Sequence, residues 1–340
     1  MGGDGVVATI QEVARKAGVS IGTVSRAYHN YPDIRPETKE RIFLAAKELG
    51  YTPNISARNL AAKRPPNIVL IVSGLLESGA LDTISYLQAQ GVLQYATEND
   101  LEISLLMTDS AAQQKSSYTE FCIRHSISGA VISGIKTDDP YCRELIDSGV
   151  PSVAIDVPLQ GKHTGWVSID NTAAAKEAML RMIRAGKQRI LVVGGKPNTA
   201  VHLQRMEGVR QAIAESGYPA DRMQTVPAYF NEEKAYQAVK AVFTSAEAKP
   251  DGIFCFSDIM AIGALKALRE LGMDVPSQVG VIGFDGMPLA DLTVPPLATV
   301  SQDFRSMGYA AAKLLHKIMR NETIEHHTVL PYHSVQGQSL

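Results

Sequence analysis

Cysteine is scarce in this chain of 340 residues. Cys122, Cys142 and Cys255 stand far apart, in or beside apolar stretches, which reads as buried free thiols rather than as metal ligands or nucleophiles. Long apolar runs are missing as well. No stretch approaches the roughly 20 residues that cross a bilayer, and the opening MGGDGVV has neither the basic nor the apolar segment of a signal peptide. Val6 occupies the place where a myristoylation motif needs a hydroxyl residue. The expectation is a cytoplasmic protein without membrane contact. Signatures of chemistry are thin: there is no G-x-x-x-x-G-K-[ST] and no H-E-x-x-H, and GVIGFDG lacks the spacing of a dinucleotide loop. His326-His327 has no Cys or carboxylate companion in sequence and reads as a solvated loop rather than a metal site. No enzyme, no cofactor and no metal are expected.

What is present begins with 45% hydrophobic and 20% charged residues, the composition of a globular protein too long for a single core. The net charge of -2 is unevenly divided. Residues 1–64 hold ten Lys and Arg against six Asp and Glu, so this segment is +4 and the remainder -6. A basic head on an acidic body suits phosphate attraction, which needs only a local positive face.

Within that head, Thr9 to Asn30 reads as two short helices joined by a turn. Thr9 and Glu12 have capping-box spacing, Ile10, Val13, Ala14 and Ala17 make a buried stripe, Gly18 suits a helix exit, and Ser20 can cap a second helix. That helix buries Val24 and Tyr28. Its other face carries Ile21, Gly22, Ser25, Arg26 and His29, a strip that fits a DNA major groove. An ordinary helical hairpin is the alternative. Pro36 opens a third helix, with Ile42, Ala45, Ala46 and Leu49 as its buried stripe and Gly50 as its end.

The segment VARKAGVSIGTVSR resembles the signature of the LacI/GalR (lactose-repressor/galactose-repressor) family of bacterial transcription regulators. Every fixed position is filled, by Val13, Ala14, Ala17, Gly18, Val19, Ser20, Thr23, Val24, Ser25 and Arg26. The resemblance implies an all-α helix-turn-helix headpiece over 1–52 and a hinge over 53–65. It further implies an α/β body, like periplasmic binding proteins, of two parallel-sheet subdomains: 66–166 with 296–325, and 167–295 with 326–340. It implies DNA contacts from Thr9, Ser20, Ile21, Gly22, Thr23, Ser25, Arg26, His29, Tyr51, Asn54, Ala57 and Leu60. In the family the hinge becomes helical on the operator. Leu60 then matches a leucine that wedges into the minor groove, and Ala57 the small residue that lets two hinges approach. A flexible tether is the plainer reading of PNISARNLAAKR.

From Asn67 onward, IVLIVSG, ISLLMTDS, GAVISGI, SVAIDV, RILVVGG, GIFCFSD and VGVIGFDG are short apolar runs separated by amphipathic stretches, the pattern of parallel sheets covered by helices. Ligands of such sheets bind beyond the carboxyl ends of the strands, where Asp156, Lys196, Ser257, Asp258 and Asp285 stand. Asp258 reads more readily as a helix cap. By the resemblance Arg205 and Asp285 grip the effector and Phe230 covers it. His202 lies in the same loop-to-helix stretch. Leu75 and Leu76 after the first strand cannot sandwich a flat base, which favours a sugar; Lys196, His202 and Arg205 together suggest a sugar acid or sugar phosphate ahead of a neutral sugar. Lys196 pointing to solvent is the alternative.

The resulting expectation is a homodimeric, effector-controlled repressor on a palindromic double-stranded operator, with the sugar or sugar derivative held between the two core subdomains. The absence of a leucine-rich heptad tail points to a dimer rather than a tetramer. A cytoplasmic solute-binding protein and an α/β enzyme are the rival classes. Ile21 and Gly22 depart from the hydrogen-bonding residues common at those positions in relatives, which throws base recognition onto Arg26.

Overall fold

In the computed structural model of the chain, residues 9–28, 33–49, 51, 67–74, 83–245, 248–323 and 325–340 are described. His29, the hinge with Asn54, Ala57 and Leu60, and Leu75-Leu76 lie outside those residues. The chain divides into two compact units. The first comprises Met1–Ile155, Leu159–Trp166 and Tyr309–His327; the second comprises Asp156–Pro158, Val167–Gly308 and Thr328–Leu340. Pro295 thus falls inside the second unit, which the chain leaves after Gly308.

Three helices, α1 (Ile10–Ala17), α2 (Ile21–Tyr28) and α3 (Pro36–Leu49), close on one small core. Val13, Ala14 and Ala17, then Val24 and Ala27, then Ile42, Ala45 and Ala46 fill it, each set at helical spacing. So many alanines bury little area. Tyr28 supplements them by packing edge-on against Phe43 and Tyr51, at 5.1 and 6.2 Å between ring centres. Arg41 Nε donates to the Ala17 carbonyl at 3.0 Å and so ties α3 to the end of α1.

Strands and helices then alternate. First come β1 (Ile68–Ser73), α4 (Thr83–Glu98), β2 (Ile103–Thr108), α5 (Ser110–Lys115), α6 (Tyr118–Arg124), β3 (Gly129–Ser133), α7 (Pro140–Asp147), β4 (Ser152–Ile155) and β5 (Thr164–Ile169). They are followed by α8 (Asn171–Arg184), β6 (Ile190–Gly194), α9 (Ala200–Ser216), β7 (Met223–Pro227), α10 (Glu232–Ser245), β8 (Gly252–Cys255) and α11 (Asp258–Glu270). Last are β9 (Gly280–Ile282), β10 (Thr299–Gln302), α12 (Phe304–Met319), β11 (His327–Leu330) and β12 (Tyr332–Val335).

A six-stranded sheet has the order β11-β5-β4-β3-β1-β2, with β1 parallel to β2 and β3, and β3 parallel to β4. The interior strand β1 is buried along its whole length. At the edge, β2 is not: Leu105 and Met107 stay exposed, because an edge strand is covered less completely than a central one.

In the second unit, β7-β6-β8-β9 is parallel throughout. The carboxyl ends of β6, β8 and β9 lead into Gly195-Lys196, Phe256-Ser257 and Gly283-Asp285. The antiparallel pair β10–β12 breaks the all-parallel expectation. Its strands TVSQ and YHSV are short and half polar, so hydropathy does not announce them. Isolated bridges join Ile282 to Ala298 and Asp285 to Ser301, and so hold β10 beside the loop after β9.

One glycine sets the packing of two helices that carry the site. A Cβ on Gly208 would stand 2.2 Å from the Thr172 carbonyl oxygen, so α9 can touch the start of α8 only without a side chain there. Arg205, nearly one turn earlier on α9, is thereby brought onto Asn171.

Candidate functional sites

The headpiece builds its exposed face by spending its hydroxyls on backbone. Thr9 Oγ accepts from the Glu12 N–H at 3.3 Å while Glu12 Oε2 accepts from the Thr9 N–H at 2.7 Å. These two bonds form the capping box that Thr-x-x-Glu predicts, and the bonds from Thr9 hold the Glu12 carboxyl below its ordinary range. Gly18 ends α1 at φ 64°. Ser20 Oγ accepts from the Thr23 N–H at 3.1 Å and shares a hydrogen bond with the Thr23 hydroxyl at 2.9 Å. Gly18 to Gly22 spells G-x-S-x-G, the lettering of a hydrolase nucleophile turn, but Ser20 stands between two helices as a cap rather than between a strand and a helix. Tyr51 packs on Tyr28, and burial followed by the Tyr51 charge pushes the Tyr28 phenol up to about 12. Left outward on α2 are Ile21, at 47% exposure, Gly22 and Arg26, with Thr23 and Ser25 half-buried beside them. Arg26 forms an ion pair with Asp33 in the loop before α3.

In the second unit a polar network converges on Arg205. Its side chain is 4% exposed, a burial a guanidinium tolerates only with its donors engaged. Nε donates to Asn171 Oδ1 at 2.9 Å, Nη1 donates to the Phe256 carbonyl and lies 3.6 Å from Asp285 Oδ1, and the Phe284 ring faces Cζ at 3.7 Å. The chain of bonds continues outward. Asn171 Nδ2 donates to Ser168 Oγ at 3.1 Å, and Ser168 Oγ donates to Asp156 Oδ1 at 2.6 Å. On the other side Gln302 Nε2 donates to Asp285 Oδ1 at 2.9 Å.

Asp258 locks the neighbouring loop. Ser257, not Asp258, caps α11, its Oγ accepting from the Met260 N–H at 3.3 Å. Asp258 instead accepts from Thr299 Oγ at 2.6 Å and from the Met287 N–H at 2.7 Å. A Cβ on Gly283 would fall 2.2 Å from its Oδ1. The lock matters because Asp285 has φ 118°, a conformation that a residue with a side chain rarely adopts unless its surroundings impose it.

The electrostatics are those of a buried cluster with more acids than bases. Burial pushes Asp258 up to about 8, and the Asp285 charge adds to the shift. Burial pushes Asp285 up to about 6 against the pull of Arg205. Asp156 is raised by burial too. Burial lowers Arg205, and the three aspartates oppose it. Among the buried polar atoms without a hydrogen-bond partner are Gln302 Oε1, His202 Nδ1 and Gln204 Oε1. The His202 ring sits edge-on to Phe256 at 5.6 Å, and burial, then Arg205, lowers its basicity. Phe230 lies over Gly195, where a Cβ would be 2.0 Å from the ring Cζ. Lys196 is partly buried, its carbonyl accepting from the Thr199 N–H and hydroxyl.

The structure therefore brings Asp156, Arg205 and Asp285 into one network, seats His202 against Gly194 at the end of β6 and Phe230 against Gly195 just after it, and uses Ser257 as a cap. Sequence reasoning missed Ser168, Asn171 and Gln302. They lie at the ends of β5 and β10 or just beyond, strands too polar to read as apolar runs. His326 and His327 are also accounted for: His326 Nδ1 lies 2.8 Å from the Thr164 carbonyl, and His327 stacks on Trp166 at 5.1 Å.

A helix-turn-helix head attached to an α/β body with a buried polar cluster at the carboxyl ends of its strands defines a DNA-binding regulator controlled by a small molecule. Residues 9–54 match the family described as bacterial regulatory proteins, lacI family, and residues 180–340 match a periplasmic binding protein-like domain. The HTH-type transcriptional regulator CelR of Thermobifida fusca is 30% identical over 93% of each chain. Catabolite control protein A of Priestia megaterium is 28% identical over 96% of this chain and 97% of its own. Among solved structures, a CelR-cellobiose complex superposes with a TM-score of 0.76 at 28% identity, covering 98% of this chain and 99% of that one. The lac repressor dimer bound to operator and an anti-inducer shares the fold, with a TM-score of 0.70 at 22% identity over 98% and 99%. The chain belongs to the lacI family of bacterial transcription regulators.

Proposed function

We propose that this regulator is a homodimeric repressor, acting in the cytoplasm, that reads a palindromic operator through α2 and answers to a neutral saccharide bound at the Arg205 network. Arg26 supplies the principal base contact, and Leu60 of each hinge wedges the minor groove between the half-sites. The observation that carries the choice of ligand is the engagement of Arg205. Its Nε and Nη1 serve Asn171, Phe256 and Asp285, and its face is covered by Phe284. An anionic ligand would meet the carboxyls of Asp156, Asp258 and Asp285 around a single guanidinium. Sugar hydroxyls, by contrast, donate to those carboxyls and to Gln302 Oε1, which lacks a donor. The weight given to sugar acids and phosphates on the strength of Lys196, His202 and Arg205 therefore shifts to uncharged sugars, in keeping with the cellobiose bound by a relative.

The test is a thermal-shift and calorimetric comparison of cellobiose, glucose and ribose with gluconate and glucose 6-phosphate, followed by gel shifts on genomic fragments the protein selects. A neutral sugar should stabilise the second unit and alter the gel shift. Stabilisation by the acid or the phosphate alone would return the ligand to the anionic class.

A further inference from the structure

We infer that Asp33 is a specificity-determining residue of the DNA interface, acting as an internal competitor for Arg26. The inference rests on the reading of α2 as the groove-binding helix with Arg26 as its base contact. Three observations on one helix lead to it. The outward positions Ile21 and Gly22 carry no hydrogen-bonding side chain, and the hydroxyls of Ser20 and Thr23 are bonded to each other. Arg26 is the one cation in the sequence of α2, IGTVSRAY. Its Nη2 is paired with Asp33 Oδ2, although both side chains are about half exposed, at 52% and 48%, and each has water available instead.

Any DNA acceptor must therefore displace or share the carboxylate of Asp33. A lone phosphate oxygen offers Arg26 one contact much like the one it gives up, and its charge is repelled by Asp33. A guanine offers O6 and N7 together, a bidentate pairing that outweighs a single exposed ion pair. Asp33 thus weakens binding to arbitrary DNA more than binding to the correct site, and widens the ratio between them. On a helix whose other outward side chains form few base hydrogen bonds, this ratio is set largely by one arginine and its competitor.

The experiment uses the full chain and two probes, a random-sequence duplex and a site the protein itself enriches from a randomised duplex pool. Asp33→Asn keeps the shape and an acceptor but removes the charge. Its affinity for the random duplex should rise about five-fold per protomer, near the upper end for one exposed ion pair, and its salt dependence should steepen by about one phosphate contact per protomer. Affinity for the selected site should rise less. In an Arg26→Ala background the same substitution should change little, and a thermal melt of each variant verifies that the headpiece is folded. If Asp33→Asn raises random-duplex affinity equally with or without Arg26, Asp33 is a general repulsive charge and the inference is overturned. If Arg26→Ala weakens the selected site but Asp33→Asn leaves both affinities and the salt slope unchanged, Asp33 is no competitor. If Arg26→Ala itself alters neither affinity, Arg26 is not a DNA contact, and the base-contact reading falls together with this inference.

Discussion

The headpiece and the second unit handle polar groups in opposite ways. In the headpiece the hydroxyls of Thr9 and Ser20 are satisfied by backbone three residues along the chain. In the second unit Arg205 is satisfied by Asn171, Phe256 and Asp285, which are remote in sequence and converge only in the folded sheet. Local satisfaction leaves a small domain free to present an unadorned face to DNA. Convergent satisfaction produces a buried cluster in which a polar atom such as Gln302 Oε1 is left without a hydrogen-bond partner. The energetic stakes differ accordingly, since a lost cap exposes a donor to water, whereas a lost partner in the cluster strands a buried charge.

Arg205→Ala should break the comparison most severely. Removing the guanidinium leaves Asp156, Asp258 and Asp285 facing one another without a cation, and the second unit should lose about 3–5 kcal/mol of stability. Chemical denaturation followed by calorimetry checks this; a headpiece melt unchanged in the same variant sharpens the contrast.

The next effect is on pH dependence. The folded-state pKa of Asp258 lies above its ordinary 3.8, at about 8, so its contribution to stability is full below the unfolded value and is lost as pH rises through the folded value. At one proton, the slope is about 1.4 kcal/mol per pH unit. Asp258→Asn replaces a proton-bearing carboxyl with an amide that Thr299 Oγ can accept from. The second unit of the variant should melt with a flatter profile between about pH 6 and 8 than the wild type. Parallel profiles would place the proton elsewhere.

Thr9→Ala removes the capping box and should cost the headpiece about 1 kcal/mol, read as an earlier loss of helical signal, with the ligand-induced stabilisation of the second unit unaltered. Gly22→Ala is the gentlest test. Nothing lies nearer than Ser20 Oγ at 3.7 Å from the added Cβ, so the helix should gain roughly a few tenths of a kcal/mol. A loss of headpiece stability would mean that the outward face of α2 is less open than its geometry indicates.

The same contrast explains what could be read in advance. Capping and helix termination depend on neighbours within one turn, so Thr9, Glu12, Gly18 and Ser20 announce their roles by spacing. The interior strands β1, β3, β6 and β8 announce theirs by unbroken apolar runs. Ser168 and Gln302 were hidden because β5 and β10 mix polar with apolar residues, and Asp258 was read as a cap because only the folded loop brings Thr299 and Met287 to its carboxyl. Lys196, His202 and Arg205 read along the chain as three cations in one stretch, whereas in the fold burial lowers both His202 and Arg205 and sets three aspartates around the guanidinium.

Sequence alone determined the helix-turn-helix, the basic head on an acidic body, the alternation of strands and helices, and the family, because each rests on residues adjacent along the chain or on composition. Tertiary structure alone decided which polar groups meet. Gly208 lets α9 approach α8 and so brings Arg205 onto Asn171, while Met287 and Thr299 hold the loop after β9 to Asp258. The physical reason is that a hydrogen bond acts over about 3 Å, a separation that spacing along the chain specifies within a helical turn but not between distant strands.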